Sequence, residues 1–494
     1  MLLAQRKSGK KAASSVADEA GKDGVKLALT DYAFVAKDLY GTVGLSGVMQ
    51  RAEGARMAKG KALSPEMQKL FDSLETPFEK SGGLATASYF ECVAWYRKLA
   101  NAFPAYCALT SIGLGDAGKD IYVFKLLGER MGRMDRLGID DEGIAVSPDQ
   151  LAAPEVKILI NNNIHPGEPE GTDASMFLVR DLLFFGQYWQ ETLPYLELHV
   201  VCQYNVDGTL NRNAHSRANQ NGPVEYGFRG NAQNLDLNRD FIKMDSRNAK
   251  ALVALMASEK YHLFIDNHTS NGADYQYVLT YFHTRPEKLM PEIVPNLLQL
   301  EARLKNQLTR QEWPTAPYVE TIKTVPDSGL FAFWESGRYA TGFAALHNTI
   351  GYTVETHMLK PFPQRVQATL QFMNSTIAYM MSNATQIEQA RKEAKSWCQQ
   401  QAYFRFNYQL DEQNVDSIRF KGYKAVYPIH PVTGLAQLEY DRSQPYEKNI
   451  PYYRHYVPQD SARVPAFYIV GAQESQIISY LKLNGVQFQT VETF

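Results

Sequence analysis

Apolar positions along the chain repeat with two periods, and the switches between them mark out the elements. From Tyr89 the period is helical: Phe90, Val93, Tyr96 and Leu99 lie roughly on one face, and the pattern stops before Pro104. Ala108 to Ile112 and Ile121 to Leu127 read as strands on either side of a turn, Gly113-Leu-Gly-Asp-Ala-Gly118. The apolar run Val156, Ile158, Ile160 reads as a buried strand, and the helical pattern Phe177, Leu178, Leu182, Phe185 follows it. Leu196 to Tyr204 predicts another strand, Ala249 to Ser258 a helix, Leu263 to Asp266 a strand and Pro291 to Gln311 a long amphipathic helix. Residues 313 to 345 are loop-rich. Gly351 to Thr356 is a short apolar strand, and Phe362 to Lys395 is helical. Strands alternating with helices predict an α/β fold. Beyond residue 402 the pattern changes to short strands and turns, Tyr423 to Pro428 and Ala466 to Val470 among them.

A chain of 494 residues exceeds one ordinary core. We divide it into an N-terminal extension (1–65), a catalytic domain (66–395) and a small C-terminal accessory domain (396–494). The extension is Lys-, Ala- and Gly-rich, with a basic run from Lys7 to Lys11 and a helical tendency around Asp31 to Leu45. With a net charge of −2, nothing points to nucleic acid or an anionic membrane surface. Cys92, Cys107, Cys202 and Cys398 form no CxxC pair, so neither a disulfide framework nor a thiolate metal site is expected. No apolar run is long enough to span a membrane. The first residues, Met-Leu-Leu-Ala-Gln-Arg-Lys, lack the apolar core of a signal peptide.

Chemistry-bearing residues collect where the strands end. Ile158-Leu-Ile-Asn-Asn-Asn-Ile-His-Pro-Gly-Glu-Pro-Glu-Gly171 passes from a buried strand through an Asn/Pro/Gly turn into a helix, the place where α/β folds bind ligands. His165 and Glu168 stand on that turn, and both side chains are zinc-ligand types. In a chain with 10 histidines, His-x-x-Glu alone is a weak signal. Asn205-Val-Asp-Gly208 closes the next strand. Residues 209–240 form a polar stretch too long for a plain connection, rich in Asn and Arg (Arg212, Arg217, Arg229) and ending in Asn234-Leu-Asp-Leu-Asn-Arg-Asp-Phe241. His268 follows a second strand. Glu355 interrupts the apolar Tyr352-Thr-Val, where a charge needs a partner or a task.

In order and spacing, these motifs resemble the zinc carboxypeptidase family over roughly residues 75 to 385. His165-Pro-Gly-Glu168 is similar to that family's His-x-x-Glu, Asn205-Val-Asp-Gly208 to its Asn-Pro-Asp-Gly, and Asp236-Leu-Asn-Arg-Asp-Phe241 to its Asp-x-Asn-Arg-x-Phe/Trp. His268 matches the third ligand and Glu355 the late catalytic Glu, and residues 112–123 resemble the family's early turn and strand. The resemblance implies a twisted, mixed, eight-stranded sheet flanked by helices, with a small C-terminal β-rich α/β domain outside the match. It implies one Zn²⁺ held by His165, Glu168 and His268, with Asp236 orienting His165. Glu355 would take a proton from a zinc-bound water and pass it to the leaving amine. Arg229 is favoured as the cation that polarises the carbonyl, with Arg217 its rival. Asn238 and Arg239 would grip the substrate's terminal carboxylate, and Tyr339 would touch substrate from a loop.

The implied activity is a zinc metallocarboxypeptidase acting on C-terminal peptide bonds. A zinc amidase, deacylase or cell-wall-peptide hydrolase on the same scaffold is the alternative, and a non-catalytic binding domain a remote one. Peptide or amide is the expected partner, without nucleic acid or membrane, and the resemblance leans to a secreted or periplasmic protein. Tyr339 stands closer to Glu355 than the family's Tyr does, and Thr269-Ser270-Asn271-Gly272 replaces the usual Ser-aromatic pair. Ala340 to Val354 contains no acid, which argues mildly against a Lys/Arg-selective pocket.

Overall fold

Eight strands predicted or implied by the sequence come together in one mixed sheet. The computed structural model describes residues 63–127, 156–185 and 196–491; the basic run and the expected helix at Asp31 to Leu45 lie outside them. In chain order the strands are β1 (Cys107–Leu114), β2 (Asp120–Leu127), β3 (Val156–Asn161), β4 (Leu196–Val201), β5 (Leu263–Ser270), β6 (Leu279–His283), β7 (Thr315–Pro317), β8 (Leu330–Phe331) and β9 (Ile350–His357). All but β8 join the sheet, in the spatial order β1-β2-β4-β3-β5-β9-β6-β7. The central β4-β3-β5-β9 block is parallel, while β2 and β6 run antiparallel to its outer strands.

The central strands are almost wholly buried because both of their faces are covered. Ile158, Ile160, Leu263 and Ile265 pack to one side, against the helices α2 (Glu170–Phe185), α4 (Val294–Arg310) and α6 (Phe362–Ser382). Leu159, Phe264 and Val201 point the other way, towards α3 (Arg247–Glu259). The helix before β1, α1 (Tyr89–Ala102), starts at a capping box in which Ser88 and Glu91 satisfy each other's backbone amides.

Two predicted boundaries shift. The strand expected to stop at Asp266 runs on to Ser270, since β5 pairs with β9 from Leu263↔Ile350 through Ser270↔His357. His268 therefore sits within a strand. The helix expected from Phe362 to Lys395 breaks at Asn383, whose side chain caps the Tyr379 carbonyl at 2.8 Å, and continues as α7 (Ala384–Gln400); between α4 and α6 lies the short α5 (Ala340–Leu346).

The later residues form β10 (Tyr403–Leu410), β11 (Val415–Val426), β12 (Glu439–Tyr453) and β13 (Tyr456–Arg463). β10 and β13 make a two-stranded ribbon, while β11 and β12 pair with each other and take β8 as a third strand. Ala466 to Val470, expected as a strand, is not one. It has no pairing partner among the described residues, and Phe467, Tyr468 and Ile469 are exposed. No helix of the described residues is long and apolar enough to cross a membrane.

A buried ion pair ties the layers together behind the strand ends. Arg365 Nε on α6 lies 2.7 Å from Glu170 Oε1 on α2, both nearly without solvent exposure. Thr269 donates to the other Glu170 oxygen at 2.6 Å. Removing one partner of such a pair leaves a buried charge uncompensated. We expect Arg365→Ala to lower the unfolding free energy by about 3–5 kcal/mol, measured by denaturant titration.

Candidate active site

The turn after β3 is built so that His165 and Glu168 reach His268 on the neighbouring β5. Asn163 adopts a left-handed conformation (φ 59°) that asparagine tolerates, and the Glu168 amide donates to the His165 carbonyl at 2.9 Å. A Cβ at Gly167 would stand 2.5 Å from Arg217 Cδ, so only glycine lets the turn pass beneath that side chain. Asn205 pins the turn from the next strand: its Nδ2 donates to the carbonyls of Ile164 and Arg229 at 3.4 and 3.0 Å.

His165, Glu168 and His268 converge, each with a ligand-type atom within 4.8 Å of the others'. Glu168 Oε2 lies 3.1 Å from His268 Nδ1 and accepts from the Thr269 amide at 2.9 Å. Each imidazole is oriented by a carboxylate on its far nitrogen. His165 Nε2 is 3.0 Å from Asp236 Oδ1, and His268 Nε2 is 2.8 Å from Asp266 Oδ2. That leaves both Nδ1 atoms pointing inward, and the buried Nδ1 of His165 has no hydrogen-bond partner. Two oriented imidazoles, a carboxylate and an orphaned inward nitrogen fit a zinc ion with one position open.

Charges around this cluster are tightly coupled. Burial alone would raise the Glu168 carboxyl, but His165, Arg217 and His268 outweigh it and hold it well below the usual carboxylate range. Burial would lower His268, but Asp266 and Glu168 raise it well above the ordinary imidazole value. Burial likewise opposes ionisation of Asp236, and its hydrogen bonds with His165 and with Arg229 override that downward. Glu355 stands opposite His268 in the β5–β9 register. Burial pushes it up to about 8, helped by Glu168 and Asp266 and opposed by His268 and Arg217.

All of these side chains but Asp236 and Asp266 line one cavity of about 970 Å³, together with Arg217, Arg229, Asn238, Arg239 and Tyr339. The long polar stretch 209–240 supplies four of these five. The two rival arginines differ in how far they are engaged. Arg217 donates to Glu168 Oε1 at 2.6 Å, to Gln220 Oε1 at 2.6 Å and to the Thr269 carbonyl at 2.8 Å. Arg229 is held from one edge by Asp236, at 2.8 and 3.2 Å, and its side chain is 46% exposed. Asn238 has a buried Oδ1 without a partner. The Arg239 guanidinium lies 4.4 Å from the centre of the Tyr339 ring.

Several residues in or behind the cavity wall escaped the sequence reading. Asp266 carried a signal, since Asp266 and His268 are two apart on one strand and must share a face. Phe282, Tyr318, Phe333 and Glu335 also line the cavity. Glu335 is buried, pushed up to about 7 by burial, and accepts hydrogen bonds from the Thr341 amide and hydroxyl. The acid-free stretch Ala340 to Val354 begins just beyond it, so its lack of acids does not describe the whole pocket. A second set of ligand-type side chains, Glu197, His199 and Glu259, lies elsewhere. Lys125 and Lys157 already pair with its carboxylates at 2.7–3.4 Å.

A zinc-ligand set in a polar cavity, at the ends of parallel strands in a mixed sheet, defines the class of zinc-dependent hydrolases. The chain belongs to the zinc carboxypeptidase family: that family's sequence model matches residues 92–420, more than half of the chain. It is thus a zinc metallopeptidase, as the motifs between residues 75 and 385 indicated. No curated protein matches the chain. Among solved structures it is similar to carboxypeptidase A from Helicoverpa armigera, at 15% identity and a TM-score of 0.44, over 67% of this chain and 81% of that one. It is also similar to a metallo-carboxypeptidase from Burkholderia cenocepacia, at 12% identity and a TM-score of 0.40, over 57% and 68%. A metallo-carboxypeptidase from Pseudomonas aeruginosa follows at 15% identity and a TM-score of 0.41, over 60% and 69%.

Proposed function

We propose that this chain removes residues from the carboxyl ends of peptides. The observation that carries this reading is the pairing, in one cavity, of the His165/Glu168/His268 cluster beside Glu355 with a guanidinium whose edge is still open. Among the described residues, the Arg239 side chain makes one hydrogen bond, to the Asn238 carbonyl at 2.8 Å, and its Nη1 lies 4.0 Å from Asp236 Oδ2. A planar guanidinium fork suits a terminal carboxylate bidentately.

His165, Glu168 and His268 would hold the zinc ion, which when bound would supply Lewis acidity and lower the pKa of water. Glu355 accepts the proton of the attacking water and returns it to the leaving amine nitrogen. Its raised proton affinity suits a group that must both take and give a proton near neutral pH. Arg229 stabilises the negative charge that develops on the carbonyl oxygen, because it is partly exposed, with Asp236 on one edge and Glu168 Oε1 3.6 Å from its Nη1. Arg217 holds Glu168 in place, and Tyr339 supports Arg239 through its ring face.

The test is a matched pair of peptides that differ only in a C-terminal carboxylate or carboxamide. The free acid should be cleaved much the faster. Arg239→Ala should raise KM for the acid by about 10-fold to 100-fold, the cost of a charged hydrogen bond, and leave the amide nearly unchanged. Equal cleavage of acid and amide by the wild type would overturn the exopeptidase reading in favour of an amidase.

A further inference from the structure

One stretch of the cavity wall is held from outside the catalytic sheet. Residues 332–336 lie between β8 and α5 without regular secondary structure, and their side chains meet different partners. Phe333 and Glu335 face the cavity. Phe333 packs edge-on against Phe282 at 6.1 Å and Tyr339 at 5.4 Å. Trp334, between them, turns away and meets the C-terminal ribbon. Its ring stacks on Tyr408 of β10, with centroids 4.6 Å apart, and packs on Tyr456 of β13 at 4.7 Å. The Lys288 ammonium stands 4.2 Å from the centre of the same indole.

The backbone on the approach to Trp334 is tied to the same strands. Leu330 and Phe331 pair with Tyr452 and Tyr453 of β12. The Ala332 amide donates to the Tyr453 carbonyl at 2.8 Å, and the Tyr456 hydroxyl donates to the Ala332 carbonyl at 2.6 Å. Much of the ribbon is otherwise exposed, including Tyr403, Phe404 and Phe406. A two-stranded ribbon has little stability of its own, so its contact with Trp334 anchors both partners.

We propose that the C-terminal strands belong to substrate recognition: Tyr408 and Tyr456 hold Trp334, and Trp334 sets Phe333 and Glu335 as the wall that reads the substrate's side chain. Trp334 is a positioning residue in this account, since its ring touches the C-terminal ribbon while its neighbours face the cavity. Phe333 and Glu335 line the cavity without belonging to the ligand cluster, so loosening them is expected to alter binding and selectivity more than the bond-breaking step. The proposal rests on the exopeptidase reading.

The experiment uses the full-length, zinc-loaded protein and a panel of blocked peptides differing only in their last residue (Lys, Phe, Leu, Glu). Tyr408→Leu, Tyr456→Leu and the double variant are compared with Tyr408→Phe, which keeps the stacked ring. We expect KM for the preferred peptide to rise about tenfold in the double variant, the worth of one well-made aromatic contact. The spread of kcat/KM across the panel should narrow, kcat at saturation should hold within about twofold, and Tyr408→Phe should behave as wild type. If the double variant does not fold, the single Leu variants carry the same comparison. Unchanged KM and unchanged preference in folded Leu variants would overturn the proposal while leaving the exopeptidase reading intact. A wild type inactive on every peptide of the panel would overturn that reading, and the wall with it.

Discussion

Replacing Glu355 by Gln is expected to lower kcat by about 10²–10⁴-fold, the range that a positioned acid–base group contributes. The substitution is nearly isosteric on β9 and leaves the converging atoms of His165, Glu168 and His268 in place. Zinc content should therefore stay at one ion per chain and KM should change little. The effect is on the step, since an amide cannot take up the water proton. Glu355 is half-buried near Glu168 and Asp266, both of which disfavour its ionised form, so the Gln variant also removes a like-charge repulsion. We expect its melting temperature to match or exceed that of the wild type. Steady-state kinetics, metal analysis and a thermal melt check the three parts. A Glu355→Gln enzyme with full activity would remove Glu355 from the mechanism.

His268→Ala is expected to abolish both zinc binding and turnover. It takes one ligand atom from the cluster and leaves Glu168 Oε2 and Asp266 Oδ2 facing an empty position in a buried site. Unpaired buried carboxylates are costly, about 3–5 kcal/mol when one member of a buried pair is removed, so the variant should also be the less stable protein. The diagnostic comparison is the effect of a chelator. A ligand that binds only the folded state stabilises it by mass action, by about 4 kcal/mol at a thousandfold excess over Kd. The wild type should therefore melt lower after chelation and recover with added zinc, while His268→Ala should respond to neither. A chelator-insensitive, active wild type would contradict a role for this cluster in metal binding.

Sequence made the strand-end chemistry legible for a physical reason. A parallel strand covered on both faces is a run of Val, Ile and Leu, and any His or Glu just after it or inside it stands out. That exposed His165, Glu168, His268 and Glu355. The polar stretch 209–240 was conspicuous by its length, and it does bring Arg217, Arg229, Asn238 and Arg239 to the cavity. Which arginine does what was not legible, because both lie in the same loop and only the fold shows Arg217 engaged with Glu168, Gln220 and Thr269. Asp266 was readable from its two-residue offset to His268 but was passed over as the end of a strand that in fact continues.

The pocket wall was illegible for the opposite reason. Phe282, Tyr318, Phe333 and Glu335 come from β6 and from a loop-rich stretch without periodicity, and they meet only through pairings between distant segments. The C-terminal strands were hard to place because the ribbon exposes most of its residues and so lacks a strong alternation. Their attachment runs through β8, a two-residue strand with no signal of its own.

The central claim is that this chain shortens peptides from their carboxyl ends with the His165/Glu168/His268 and Glu355 centre. Mass spectrometry of a mixed peptide pool, incubated with zinc-loaded wild type beside Glu355→Gln, tests it most directly. The account predicts ladders that lose one residue at a time from the C-terminus with the wild type and intact peptides with the variant. Internal cuts, or an unaltered pool with zinc demonstrably bound, would contradict it.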